Sequence, residues 1–264
     1  MSTPAYRLKI NRAIHHVNDL NAQINAFIDR KPYEISAEND VDAGKRLWKL
    51  QIRQHVPEAL SMIVGDAIHN ARATLDLLMV AIVRHCDPTR ESYNHVHFIV
   101  GDSKEKFESR LPDNIKGASP GARKIIENLK PYKGGDEAFW RLHQLDILDK
   151  HKAIIPVESI CDSVDVTLDK VKLLPTLHMV VSTPEPFIAT MTPARRFYPL
   201  QNGTILFEVP LNGNHPFKDE PKFTFEIAFG EGQILDGEPV IPALAQICQF
   251  VEGVIDIVET HILN

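Results

Sequence analysis

Apolar residues near the N-terminus recur every three to four positions. Tyr6, Ile10, Ile14, Val17, Ile24, Phe27 and Ile28 share one face, and Pro32 stops the pattern, so residues 4 to 30 are predicted as an amphipathic helix. The period then falls to two. Tyr33, Ile35 and Ala37 alternate before the turn-rich ENDVDAG, and Trp48, Leu50 and Ile52 alternate with Lys49, Gln51 and Arg53 after it, which predicts a hairpin over 33 to 54. Pro57 and Glu58 open a long helix, 57 to 86, because proline suits a first helical position and an acid suits the positive helix end; Asp87-Pro88 closes it.

An extended piece, HVHFIV, leads to two short helices near 103 to 111 and 119 to 130, separated by Pro112 and Gly117. DEAFWRLHQLDILDKHK, 136 to 152, is predicted as a helix with Asp136 as N-cap, apolar nearly all round and therefore buried. From 153 the texture is that of strands. Val164, Val166 and Leu168 alternate with polar residues, Ile205, Phe207 and Val209 follow the hairpin signal Asn202-Gly203, and Phe223, Phe225, Ile227 and Phe229 make a half-buried strand. The final stretch, 240 to 264, carries Ile241, Leu244, Ile247, Val251, Val254, Ile255 and Val258 on one helical stripe.

These elements predict an α+β fold: a helical bundle built on the long buried helix and packed with a C-terminal antiparallel β-sheet. No repeat or low-complexity linker interrupts the chain, so residues 1 to 264 are taken as a single domain. Within it, 1 to 152 is mainly helical with the hairpin, 153 to 239 is an antiparallel β region, and 240 to 264 is a helix returning to the helical part.

The long helix carries a polar group where a core helix should have none. At about 100° per residue, Val64, Ile68, Leu75, Leu78 and Ile82 cover one side, while Gly65, His69, Arg72 and Asp76 cluster on another that Met62, Val80 and Val83 extend. Ions walled in by apolar side chains need partners, since burying one alone costs several kcal/mol. The helix 136 to 152 offers them: Asp146 and Asp149 share a face with Phe139, Leu142 and Leu145, and His143 and Lys150 lie at its edge. Two arrangements stay open. In one, Arg72 pairs with Asp146 or Asp149 and His69 bonds Asp76 within its own helix, a structural network. In the other, His69, Asp76, Asp146 and Asp149 hold a divalent metal, the only cofactor the residues suggest. His95 and His97, two apart in an extended piece, are a second and weaker metal pair, and Arg90 with His95 forms an R-x4-H spacing that arises by chance.

Composition narrows the classes. A net charge of −6 gives no global attraction to nucleic acid, although Arg110, Lys116, Arg123, Lys124, Lys130 and Lys133 offer a local basic face, read first as solvated surface. Cys86, Cys161 and Cys248 are far apart and suggest neither a disulfide framework nor a zinc knuckle, which fits a reducing cytoplasm; Cys86 is read as packing. The N-terminus has no h-region and no 18-residue stretch is free of charge, so neither a signal peptide nor a spanning helix is expected. The serine-hydrolase elbow, P-loop, dinucleotide fingerprint and zincin motif are absent. The Phe-rich strand 222 to 229 or the last helix offers a surface for a homo-oligomer.

GDAIHNARATLDLLMVAIV, 65 to 83, and WRLHQLDILDKHKAI, 140 to 154, resemble a family of uncharacterised bacterial and phage-borne proteins. In that family a G-[DE]-x-x-H-N-x-R-x-x-L-D helix precedes an L-x-x-L-D-x-x-D-K-H helix and a β-rich C-terminal half. The matching positions are Gly65, Asp66, His69, Asn70, Arg72, Leu75 and Asp76, then Leu142, Leu145, Asp146, Asp149, Lys150 and His151. The first motif is also similar to HEPN domains, helical modules that often act as metal-independent RNases through an R-x4-6-H pair. Family members often read R-S-A-L-D-H there, whereas this chain has Leu77 at the histidine, which cannot accept a proton. HEPN-like chemistry would therefore fall to His69, His143 or His151. Two functions are carried forward: a hydrolase-like site between helices 57 to 86 and 136 to 152, with candidates His69, Arg72, Asp76, His143, Asp146 and Asp149, or a non-catalytic interaction or scaffolding protein in which the same residues are structural.

Overall fold

The computed structural model describes residues 3–151, 155–168, 172–174, 179–181, 187–191, 200–211, 219–232 and 234–263. The protein is α+β: among the described residues are six α-helices and two antiparallel three-stranded sheets. The chain divides into two compact units, one of Met1–Gln23, Glu58–Ile155 and Val240–Asn264, the other of Ile24–Pro57 and Pro156–Pro239.

The first unit is helical. Helix α1, Ala5–Asp29, buries Tyr6, Ile10 and Val17 of the predicted face together with Ala13 and Leu20, while Ile14 is only partly buried; its last turns belong to the second unit. Helix α2, Glu58–Cys86, has Glu58 in its first turn and Arg84 and His85 in its last, each complementing the helix dipole. Val64, Ile68, Leu75, Leu78 and Ile82, the predicted core side, are fully buried. Helix α3, Lys104–Asn114, is N-capped by Ser103 and runs through Pro112, which was expected to end it. Pro112 stands in the last turn, where its missing N–H costs one bond at most, and the helix closes with the Ile115 amide on the Leu111 carbonyl. Helix α4, Pro120–Asn128, starts as the dipeptide Ser119-Pro120 demands, with Ser119 accepting from the Ala122 amide.

Helix α5, Glu137–His151, has Asp136 Oδ1 accepting from the Ala138 amide. It is less enclosed than its composition suggests: Phe139, Leu142, Leu145 and Asp146 are buried, whereas Arg141 and Lys150 are exposed. Helix α6, Val240–Val258, continues as a π-helical turn, Glu259–Leu263. Contrary to the expectation from charge spacing, Val240–Leu263 is long and apolar enough to cross a membrane by length and composition, with mean hydropathy 1.5 over its most apolar window. Leu244, Val251, Val254, Ile255 and Val258 of that helix lie in the core of the helical unit, and Phe250 meets Phe139 edge to face. The π-helical turn is tied to α1 by Arg7, which bonds both Glu259 oxygens, and by the Tyr6 hydroxyl.

The second unit divides the strands differently from the sequence. Strands β1, Tyr33–Asp40, and β2, Lys45–Ile52, form the predicted hairpin, with Tyr33 opposite Ile52 and Asp40 opposite Lys45. The run 153 to 232 was expected to form one sheet of its own. Instead β7, Ile205–Pro210, pairs with β2, giving the order β1-β2-β7. The turn Asn202-Gly203, with Gly203 at φ +82°, is sewn to β2: its amide donates to the Leu50 carbonyl, and Asn202 Oδ1 accepts from the Ile52 amide. The other sheet has β3, Val157–Leu168, between β6, Phe187–Met191, and β8, Lys222–Phe229. A short ribbon pairs β4, Lys172–Leu174, with β5, Met179–Val181. Leu50 and Leu206 from one sheet and Cys161, Val164 and Val166 from the other make one apolar core, flanked by Tyr33, Phe207, Phe223 and Phe225. The alternation along each strand required a buried partner face, and each sheet supplies the other's.

Candidate functional site

Helices α2 and α5 pack against each other inside the helical unit and bring together most of the predicted polar residues. The pairing is the reverse of the structural network expected. Arg72 bonds Asp76 in its own helix, Nη1 to Oδ1 at 2.7 Å, and His69 reaches across to Asp146, Nδ1 to Oδ1 at 3.1 Å. Helix geometry decides this. His69 and Asp76 are seven residues apart, about 10 Å of rise, beyond an imidazole's reach, whereas Arg72 and Asp76 stand at i and i+4.

Two clusters result. The inner one is a brace around Arg72, whose side chain is 6% exposed. Its Nη2 donates to the Phe98 carbonyl at 2.7 Å, and Asp76 Oδ1 also accepts the Phe98 amide at 2.9 Å, so the extended piece 95–100 is pinned to α2 through both backbone groups of Phe98. His143 Nδ1 lies 3.5 Å from Arg72 Nε, at the limit of a hydrogen bond. Burial and the Arg72 charge push the His143 pKa down, which suits a neutral ring accepting from arginine; Asp146, Asp76 and Asp102 oppose the shift.

The outer cluster centres on Asp146, whose side chain is 6% exposed while its partner His69 is 41% exposed. One carboxylate oxygen takes His69 and the other takes Lys150 Nζ at 2.7 Å, an i,i+4 pair within α5, so the buried charge is fully compensated. Nδ1 is the His69 ring nitrogen that meets the carboxylate, on a side chain that is 41% exposed. Asp149 lies against the bare backbone of Gly65: a Cβ there would stand 2.2 Å from Asp149 Oδ1. Burial first, then the Asp146 and Asp66 charges, raise the Asp149 pKa above the ordinary carboxylate range, while His69 and Lys150 pull it down.

The metal arrangement is not assembled. Asp76 is held in the inner brace, away from His69 and Asp146, and among the described residues no group of three or more His, Cys, Asp or Glu side chains is placed to hold a metal ion. His95 and His97 are both exposed, on the side opposite buried Val96 and Phe98, and His97 bonds Asn114 instead. Arg90 is engaged by the Ser92 and Lys116 carbonyls rather than by His95. Arg110, Lys116, Arg123, Lys124, Lys130 and Lys133 are all exposed, with Arg123 paired to Glu127 and Lys133 lying over the Trp140 ring. The His151 side chain lies outside the described residues.

Sequence reasoning missed what α1 contributes. Lys9 Nζ donates to Asn70 Oδ1 at 3.1 Å, and Asn70 Nδ2 donates to the Asp66 carbonyl at 2.7 Å. Half-buried His16 has its pKa pushed down by burial and by Arg12, and Asp66 on α2 opposes that shift. Asp66 is exposed on α2, whereas His69, Ala73 and Asp76 along the same helix are partly buried. No family model matches the chain, and no curated protein or solved structure matches it at a significant level.

Proposed function

We propose that the protein is a cytoplasmic, hydrolase-like enzyme directed at nucleic acid, working as a metal-independent, HEPN-like RNase in which His69 moves the proton. The observation that carries this is the His69–Asp146 pair: a buried carboxylate bonds one ring nitrogen of a half-exposed imidazole. That is the disposition of a general acid or base held in one tautomer by a carboxylate. Lys150 beside Asp146 supplies positive charge at the rim, and Asp149 is a second proton-bearing candidate. Arg72, with its donors on Asp76 and Phe98, acts here as a positioning residue rather than a phosphate clamp. The site therefore departs from the R-x4-6-H pattern not only through Leu77 but through the inward direction of its arginine.

The test is cleavage of single-stranded RNA by the purified protein in the presence of a chelator. His69→Gln and Asp146→Asn are each expected to lower the rate by about 100- to 10,000-fold, the range for a lost general acid or base. Wild-type protein that leaves RNA intact, or a His69→Gln variant of equal rate, refutes the proposal. A second reading, a non-catalytic interaction or scaffolding protein, is favoured by one observation: Arg72 and Asp146 are fully paired within the fold. Under it, wild-type protein is inactive and Arg72 substitutions matter only for stability.

A further inference from the structure

The two sheets of the second unit leave their shared core open along one side. Strand β1 ends the order β1-β2-β7 and β8 ends β6-β3-β8, so among the described strands both are edges. Tyr33 and Ile35 of β1, like Phe223 and Phe225 of β8, stand two apart on one face of their strand and pack against the core, yet all four are only partly buried. They line a cavity of about 370 Å³, within the range usual for small-molecule sites, to which Ile28 of α1 also contributes. Every residue of its lining belongs to this unit. The wall is set by ring packing. The Tyr33 and Phe225 centroids are 4.6 Å apart, Phe27 meets Tyr33 edge-on at 6.1 Å, and the Tyr33 hydroxyl is engaged with Ser159 Oγ.

The charged residues of the lining are Lys31 and Lys222, both exposed. Neither has an ion-pair partner among the described residues, because the nearby acids are engaged elsewhere. Glu34, three residues after Lys31, accepts from Arg53, and Asp165, opposite Lys222 in the β3–β8 register, accepts from Thr190. The cavity is therefore apolar in its walls and positive where it meets water. A plain hydrocarbon would leave both cations unused, and a hydrophilic anion would leave the half-exposed rings in water.

We infer that this cavity binds a medium-chain carboxylic acid in its ionised form, with the chain against Tyr33, Ile35, Phe223 and Phe225 and the carboxylate between Lys31 and Lys222. The two carboxylate oxygens give one acceptor to each ammonium group. The site is separate from the α2–α5 cluster, and the inference does not depend on the RNase reading.

Decanoate, kept below its micelle concentration, is titrated into the full chain by calorimetry, with decan-1-ol and acetate supplying the chain and the head alone. The same titration is followed by NMR of the isoleucine and phenylalanine side chains. Expected are saturable binding of decanoate, shifts of Ile35, Phe223 and Phe225, and weaker binding of both controls. The double variant Lys31→Gln with Lys222→Gln should bind decanoate about fivefold more weakly, the effect of two exposed ion pairs, and bind decan-1-ol as wild type does. Both lysines are exposed, so the variant should keep the wild-type melting curve. Should it not, the wild type decides, because added salt must weaken decanoate relative to decan-1-ol. The inference is overturned by an absence of saturable decanoate binding, by shifts confined to other residues, by a control that binds as tightly as decanoate, or by affinity that neither the double variant nor salt changes. Association with phosphatidylcholine vesicles without binding of free decanoate would make the opening a membrane contact, and overturns it as well.

Discussion

Replacing Arg72 with methionine tests the inner brace most directly. The guanidinium, with its side chain 6% exposed, bonds Asp76 and the Phe98 carbonyl, each at 2.7 Å. Methionine keeps most of the stem's packing and removes the donors. The Phe98 carbonyl, in a fully buried residue, is then left without that partner, at a cost of about 1–3 kcal/mol. Asp76 loses its ion but keeps the Phe98 amide, and at 37% exposure it can be hydrated, so its share is about 1 kcal/mol. The sum, about 3 kcal/mol, corresponds to a fall of about 6–12 °C in the melting of the helical unit. Asp76→Asn, which retains an oxygen for the Phe98 amide, should cost only about 1 kcal/mol. Urea titrations followed by far-ultraviolet circular dichroism measure both. A loss below about 1 kcal/mol for Arg72→Met, or equal losses for the two variants, would show that the guanidinium does not hold the 95–100 segment to α2.

Asp149 supplies a pH prediction of definite sign. Its folded pKa lies above the ordinary 3.8, so the native state binds more protons than the unfolded state in the interval above 3.8. Its contribution to stability is therefore present in acid and is lost as pH rises through the raised value; Asp149→Asn should melt higher than wild type at pH 7, with the difference vanishing below about pH 4, and a variant that melts lower at pH 7 contradicts the burial argument. Gly65→Ala puts a methyl where Asp149 Oδ1 stands 2.2 Å from the ideal Cβ, so the carboxyl must swing out. Removing a helical glycine gains about 1 kcal/mol, which offsets the displacement. The net stability change should therefore be small, while carbon-detected NMR should show the Asp149 titration returning towards the ordinary carboxylate range; an unchanged titration would mean that Gly65 is not its seat.

The hydrophobic pattern by itself determined where the helices and the hairpin lie. It marked α2 as a core helix through the helical spacing of Val64, Ile68, Leu75, Leu78 and Ile82, all fully buried in the structure. It also showed that His69, Arg72, Asp76, Asp146 and Asp149 must find partners, since buried charge has to be compensated wherever it falls. The expected network, Arg72 with an aspartate of α5 and His69 with Asp76, passed over the i,i+4 pairs Arg72–Asp76 and Asp146–Lys150 that form instead. What the tertiary structure alone decided is which groups meet across elements. The packing of α5 along α2 brought Asp146 to His69. The extended segment brought the Phe98 peptide to Arg72, a backbone partner that no side-chain pattern announces. Likewise β7 joined β2 across more than 150 residues, and α1 brought Lys9 to Asn70. Periodicity reports which face of an element is buried and says nothing of what lies opposite, because that depends on how the elements pack.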